Sequence, residues 1–280
     1  MKADHTPTLV VRGLHAGYGG HDIIADLTLP PLQPGRLVAL VGPNSAGKST
    51  LLRAMAHLIR MRGEVALGEH DLTRISPAAR ARLVGFMPQA LPLDVSLSVL
   101  ETVIATLRVA QAGEGAGSHA EQALDVLTRL GVPYLASLPL DRLSGGQKQV
   151  ASLAQAIACA PPVLLLDEPT SALDFSRQYF IMRSIKDYAA GGRIVVAVLH
   201  DLALAAQWAD DLIVMRQGKL HGAGPPDEIL TPRMLADVYD VEARVEHCSQ
   251  GRLQIMVDGV VERSNRSGIP PTHQHQKANP

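Results

Sequence analysis

The chain has 280 residues, 46% of them hydrophobic, with a formal net charge of −1 and a pI of about 6.8. That length can bury a substantial core in one large domain or two lobes. The composition excludes a disordered chain, and the charge balance supplies no overall positive field for nucleic acid. Two cysteines occur, Cys159 and Cys248, without paired spacing, as expected of reduced thiols in a reducing compartment. The start, "MKADHTPTLV", has no apolar run of signal-peptide length. The longest apolar runs, such as "IVVAVL" (194–199), are strand-sized, so the expectation is a cytoplasmic chain that reaches a membrane through a partner.

"TLVVRGL" (8–14) and "HDIIADLTL" (21–29) alternate like strands with one buried face. "GRLVALVG" (35–42) predicts an apolar strand running into a glycine-rich loop, and "KSTLLRAMAHL" (48–58) a helix after it. "GEVALGEHDL" (63–72) reads as a strand pair and "VGFMPQ" (84–89) as a short strand ending at Gln89. From 90 to 160 the spacing turns helical, with "SVLETVIATLRVA" (98–110) and "HAEQALDVLTRL" (119–130) separated by the loop "QAGEGAG" (111–117). "PPVLLLDEP" (161–169) and "GRIVVAVLH" (192–200) are continuous apolar runs, the pattern of parallel strands covered on both faces. Helices are predicted after them, at about 175–190 and 201–209.

The organisation expected is a split α/β core, 8–88 and 161–224, interrupted by a helical insert over 89–160. In 225–262, "PPDEILTPRMLADVY" predicts two short helices and "EARVEHCSQGRLQIMVDG" two strands around a turn. The segment 263–280 reads as a disordered tail, with His273 and His275 either solvated or metal-binding.

"GPNSAGKST" (42–50) satisfies the G-x-x-x-x-G-K-[ST] phosphate-loop pattern between a strand and a helix. Gly42 and Gly47 allow the backbone through Pro43, Asn44, Ser45 and Ala46 to turn its amides inward. Lys48 offers charge to the β- and γ-phosphates, Ser49 a hydroxyl to Mg²⁺, and Thr50 continues the helix whose N-terminus favours an anion. In "VLLLDEPTSALD" (163–174), a buried strand ends in two carboxylates at the sheet edge where ligands of open α/β sheets bind. Asp167 is suited to hold Mg²⁺, generally through water, and Glu168 to take a proton from the attacking water. His200 and Gln89 end two further strands, so they are expected on the same edge, near the γ-phosphate and near Mg²⁺ and water respectively. A second stretch, "LSGGQ" (143–147), has the look of an anion-binding turn without the residues that would complete it.

The phosphate loop, "MPQ", "LSGGQ", "LLLDEPTSALD" and "LHD", in this order, resemble the nucleotide-binding subunit of ABC transporters over about residues 8 to 240. The resemblance implies the ABC ATPase fold, a P-loop NTPase core with N-terminal antiparallel strands and an inserted helical subdomain. It implies ATP and Mg²⁺ as ligands. Tyr18 would stack on adenine, the alternative being an ordinary turn tyrosine. Gln89 would couple the γ-phosphate to the helical insert, Asp174 close the D-loop, and His200 serve as the switch histidine. Ser144, Gly145, Gly146 and Gln147 would lie against ATP held by another chain, giving a homodimer with two shared sites. The family usually has glycine where this chain has Ser45, a strained choice if that position needs positive φ; little loss is expected.

One phosphate loop and no fused span look like a bacterial importer, in which transmembrane permease subunits are separate chains and a periplasmic substrate-binding protein acts indirectly. The chain would then sit on the cytoplasmic face of the inner membrane. "FMPQALPLDVSLSVLETV" (86–103) and "GAGPPDEILTPRMLADVYDVEARVE" (222–246) are similar to ATPases that energise uptake of iron-siderophore, haem and cobalamin. Iron chelates are the first expectation and haem or cobalamin the second. A soluble, non-transport ABC ATPase is the rival reading, and a basic nucleic-acid-binding surface that would favour it is not apparent.

Overall fold

The hairpin of β1 (Leu9–Tyr18) and β2 (His21–Leu27) is followed by β3 (Leu37–Val41) and α1 (Lys48–Met55). Next come β4 (Met61–Leu67), β5 (His70–Asp71), α2 (Pro77–Leu83) and β6 (Val84–Met87). Three helices follow, α3 (Val99–Ala110), α4 (His119–Arg129) and α5 (Gly145–Ile157). The chain then alternates through β7 (Val163–Asp167), α6 (Phe175–Ala190), β8 (Ile194–Val198), α7 (Leu202–Trp208), β9 (Asp211–Arg216) and β10 (Lys219–Gly224). Finally, α8 (Pro226–Ile229), α9 (Pro232–Tyr239) and the hairpin β11 (Val241–His247) and β12 (Leu253–Val260) close the described chain. The structure is a computed structural model describing residues 7–90, 97–110 and 119–261. The loop expected at 111–117, most of the stretch after "MPQ", and the tail with His273 and His275 lie outside the described residues.

A six-stranded sheet has the order β10-β9-β3-β8-β7-β6, parallel except for β10 at its edge. A four-stranded antiparallel sheet has the order β2-β1-β4-β5. β3, β7 and β8 are buried at every residue, which is why they lack alternation in sequence. Their alternate side chains enter two different cores. Leu37, Ala39, Leu164, Leu166, Val195 and Ala197 face the core shared with the helices of the insert and with α6. Val38, Leu40, Val163, Leu165, Val196 and Val198 face the core shared with β1, β2, β4 and α1. Each fully buried aliphatic side chain contributes about 1.5–3 kcal/mol, so the three strands are pinned from both sides and their C-terminal ends fall at fixed places. Leu40 and Asp167 both pair with Val198, which aligns the three ends that carry the chemistry.

The structure departs from sequence expectation at several boundaries. β6 stops at Met87 rather than Gln89, because Pro88 has no N–H to give a ladder. α1 ends three residues early: His57 takes φ 57°, and Leu58 N–H donates to Arg53 O while His57 N–H donates to Ala54 O, a left-handed helix stop. α2 was not anticipated, although "SP" at 76–77 signals it: Ala79 N–H donates to Ser76 Oγ and Pro77 stands in the first turn. β9 and β10 are likewise additional to the sequence expectation. Their two-residue connection, Gln217 (φ 49°) and Gly218 (φ 73°), has positive φ at both positions, as a tight hairpin turn requires.

Candidate active site

The phosphate loop leaves β3 at Gly42, whose φ of 146° no other residue adopts readily, and where a Cβ would stand 2.2 Å from Met215 O. Gly47 (φ 95°) caps α1 with no side-chain bond and no acidic residue follows in the first turn, so the helix N-terminus is left open to an anion. Ser45 adopts φ 65°. The condition for strain stated from sequence is therefore met, at a cost of about 1–2 kcal/mol for an L-residue. Gly218 N–H donates to Ala46 O at 3.0 Å, so the β9–β10 turn braces the loop from beneath.

Lys48 is only 5% exposed. Its Nζ donates to Gly42 O at 2.7 Å and Pro43 O at 2.8 Å, which holds the ammonium at the loop's mouth. Burial lowers its pKa, and the charges of Glu168 and Asp167 oppose that shift. Asp167 is fully buried. Ser49 Oγ donates to its Oδ1 at 2.8 Å, while Oδ2 has no hydrogen-bond partner. Desolvation raises the Asp167 pKa, partly offset by the Ser49 hydrogen bond. A buried carboxylate oxygen with no partner, beside a hydroxyl, is an oxygen donor set that suits a hard cation such as Mg²⁺.

Glu168 follows with φ 57°, another left-handed residue at the strand's end. Its Oε1 lies 2.5 Å from Nε2 of His200. A carboxylate only accepts, so the imidazole nitrogen carries the hydrogen. Asn44 to Thr50, Glu168 and His200 line one cavity together with Ile23, which the sequence did not suggest. Ile23 comes from β2, so the antiparallel sheet forms one wall.

Other expected site residues lie elsewhere. Tyr18, 45% exposed, ends β1 and accepts a hydrogen bond from Arg53 Nη1 at 3.3 Å; it does not line the phosphate-loop cavity. Gln89 is exposed and lines a separate groove with Gly145, Lys148 and Ser152. Asp174 caps α6, accepting from Arg177 N–H at 2.9 Å, beside a groove it shares with Glu168 and His200. The "LSGGQ" stretch is the first turn of a helix and not a free turn. Ser144 Oγ accepts from Gln147 N–H at 3.3 Å, and Gln147 Oε1 accepts from Ser144 N–H at 2.9 Å. This reciprocal cap leaves Ser144 and Gly145 exposed. None of residues 144–147 lines the chain's own phosphate-loop cavity.

The sequence reading also passed over Gln149. It is 7% exposed and fully hydrogen-bonded to the segment after β7. The available signal was a polar side chain on the apolar stripe of a helix, beside Val150 and Leu153.

The chain matches the ABC transporter family over residues 27–171. It is 38% identical over 240 residues to the cobalamin import ATP-binding protein BtuD of Halobacterium salinarum, covering 85% of this chain and 60% of that relative's length. It is 37% identical over 254 residues to the hemin import ATP-binding protein HmuV of Pseudomonas fluorescens, covering 87% and 97% of the two chains. Among solved structures, a chain described as of the metal-chelate ABC transporter type, in an inward-facing conformation, superposes with a TM-score of 0.74 at 25% identity, over 90% of this chain and 97% of that one. The ATP-binding cassette MJ0796, solved as a dimer in a post-hydrolysis state with ADP and Pi, gives 0.71 at 26% identity, over 78% and 98%. With that phosphate loop, the paired carboxylates at the sheet edge and the helix-borne "LSGGQ", the chain belongs to the ABC transporter family, as an ATP-binding cassette.

Proposed function

We propose that this chain is the ATP-hydrolysing subunit of an importer for metal chelates. The observation that carries the reading is the meeting of Lys48, Ser49, Asp167, Glu168 and His200 at the aligned ends of β3, β7 and β8. The amides of the phosphate loop and Lys48 hold the β- and γ-phosphates of ATP. Ser49 and Asp167 would hold Mg²⁺, which would supply neutralisation of phosphate charge. Glu168 takes a proton as water oxygen bonds to the γ-phosphorus and the bond to the β-phosphate oxygen breaks, leaving ADP and phosphate. His200 orients Glu168 through their mutual contact and faces the transferred phosphoryl group. Gln89, outside the cavity here, joins it when the helical insert turns toward the core, and so reports nucleotide state to that insert.

The exposed first turn of α5 is the part of the site that this chain gives away. A second copy presents its own Ser144 to Gln147 to the phosphates, so the working unit is a homodimer with two ATP sites. Permease subunits dock on the helical insert, and a substrate-binding protein acts beyond them. Among the described residues, no helix is long and apolar enough to cross a membrane, which fits a peripheral subunit on the cytoplasmic face. Relatives that import hemin and cobalamin, and the metal-chelate neighbour, support a chelate as cargo. An iron-siderophore or related metal chelate is the first reading, and haem or cobalamin the second.

The test is hydrolysis and transport together. The purified chain should hydrolyse ATP only with Mg²⁺, and Lys48→Ala should abolish it. Reconstituted in vesicles with the permease that co-purifies with it, the chain should drive uptake of one class among ferric siderophore, haem and cobalamin. Active hydrolysis with no co-purifying polytopic protein would instead favour a soluble, non-transport ATPase.

A further inference from the structure

Gln149 sits on the buried face of α5, one turn beyond the exposed "LSGGQ" end. Its two Nε2 hydrogens donate to Glu168 O at 3.1 Å and Ser171 Oγ at 2.7 Å. Its Oε1 accepts from Ala172 N–H at 3.1 Å. Because a backbone N–H can only donate, this last bond fixes which end of the amide is oxygen. Ser171 Oγ in turn donates to Glu168 O at 3.4 Å. One side chain therefore ties the α5 helix to the backbone of the residue that takes the proton and to the segment leading to Asp174. Glu168 needs such a tie. At φ 57° it is held in a sparsely populated backbone region that persists only when its surroundings over-determine it.

We infer that Gln149 is a positioning residue that couples the two ATP sites of the dimer. This rests on the shared-site reading above. In that arrangement the α5 N-terminus of a chain serves the phosphates held by its partner, while its Glu168 serves its own. The two ends of one short, buried link thus belong to different sites. Docking of "LSGGQ" on the partner's nucleotide shifts α5, and Gln149 carries that shift to the carbonyl of Glu168. Hydrolysis at one site becomes sensitive to occupancy of the other. A buried amide with every hydrogen-bonding group used transmits such a shift without slack, since breaking any bond leaves a buried polar group without a partner.

The experiment is steady-state hydrolysis by the full chain carrying Gln149→Ala, Gln149→Glu or Ser171→Ala, each also in a Glu168→Gln background. Gln149→Ala should lower kcat by about tenfold or more, within the usual range of coupling effects, with KM for ATP changed by less than about threefold. The Hill coefficient against ATP should fall toward one. Gln149→Glu, which keeps an acceptor but loses both donors, should behave alike, and Ser171→Ala, which removes only one of the bonds Gln149 makes, should give a smaller loss in kcat. In the Glu168→Gln background, Gln149→Ala should add less than about twofold, because residues acting as a unit are not additive. A raised KM with kcat intact, or the full loss repeated in that background, would overturn the inference. If Gln149→Ala fails to fold, Ser171→Ala carries the same comparison, and an unchanged kcat there overturns it. A kcat loss with no change in Hill coefficient would keep the Glu168 positioning and remove the coupling. Wild-type turnover by Glu168→Gln alone would instead strike the assignment of Glu168, which the Gln149 variants in the native background would not.

Discussion

The Nε2 of His200 and the Oε1 of Glu168 are 2.5 Å apart, though the residues are 32 apart in sequence. Each lies just past the end of a fully buried strand, β7 for Glu168 and β8 for His200. Asp167 pairs with Val198 across those strands, so register alone puts the two side chains together. Glu168→Gln should keep ATP binding and cut hydrolysis by about 10²–10⁴-fold, the scale of a lost general base. An ATP-bound dimer should accumulate, visible by size-exclusion chromatography. His200→Ala should also lower kcat while leaving ATP affinity nearly unchanged. Native turnover in either variant would remove that residue from its role.

How much of this site could be read beforehand depends on whether a residue's meaning is local. The phosphate loop is a contiguous run whose glycines, lysine and serine each act on their neighbours, so spacing suffices. Asp167, Glu168 and His200 were legible because continuous apolar strands in an α/β chain must end on one edge. Gln149 was not legible, because its partners lie 19 to 23 residues further along the chain and nothing local requires them. Ile23 and Gly218 escaped for the same reason: Ile23 reaches the loop only after the antiparallel sheet has packed on the parallel one, and Gly218 only after β9 has paired beside β3. The "LSGGQ" stretch was misread locally, since Ser144 with Gln147 three residues on is a capping pair and could have announced a helix start. Ser45 was read conditionally, and only the backbone angle of 65° supplied the missing fact.

That angle makes Ser45 a test of strain. Ser45→Gly should stabilise the protein by up to about 1 kcal/mol, as relief of left-handed strain exceeds the added freedom of the unfolded chain. ATP affinity should change little, because glycine keeps the loop's path. Ser45→Val should do the opposite, since a β-branched residue is poorly tolerated at positive φ. Urea unfolding of the three proteins decides this. A valine variant as stable as the native chain would show that the loop relaxes freely at this position.

Asp167 gives a prediction in pH. Its folded pKa is raised above the ordinary 3.8, chiefly by burial, so the folded state holds the proton to higher pH than the unfolded chain does. Its contribution is then fully favourable below the unfolded value and is lost as pH rises through the folded one. Once ionised in the nucleotide-free protein, the carboxylate with its unpartnered Oδ2 is a stability cost. Asp167→Asn should therefore stabilise the free protein by about 1 kcal/mol, the usual size of a stability gain taken from an active site. The difference from native should grow as pH rises above the ordinary carboxylate value and level off once the folded carboxyl is ionised. The extra stabilisation by Mg²⁺ with ATP should vanish in the variant. An Asn variant less stable than native at pH 8, on that scale, would mean that the carboxylate stabilises the empty site.

The shared site itself is tested by mixing two defective chains. Lys48→Ala spoils a chain's own phosphate loop and leaves its α5 end intact. Ser144→Arg blocks the α5 end and leaves the phosphate loop intact. The second variant loses a helix cap, at a cost of about 1 kcal/mol, so its melting is checked first. Gly145→Asp is the alternative. It keeps the cap, its Cβ meets nothing nearer than Ala172 Cβ at 3.5 Å, and its charge repels phosphate. If each ATP lies between the loop of one chain and the α5 end of another, either homodimer has two sites with one bad half, and both are inactive. In the mixed dimer both faults fall in one site, and the other pairs a good Lys48 with a good Ser144. Hydrolysis should return to at most about half of native per dimer at that site, or, if the sites turn over only together, tight ATP retention at one site per dimer should return. If each chain used its own "LSGGQ", every site would keep a fault and mixing would restore neither. With subunit exchange confirmed by differently tagged chains, silence on both readouts would reject the shared site, and with it the coupling assigned to Gln149.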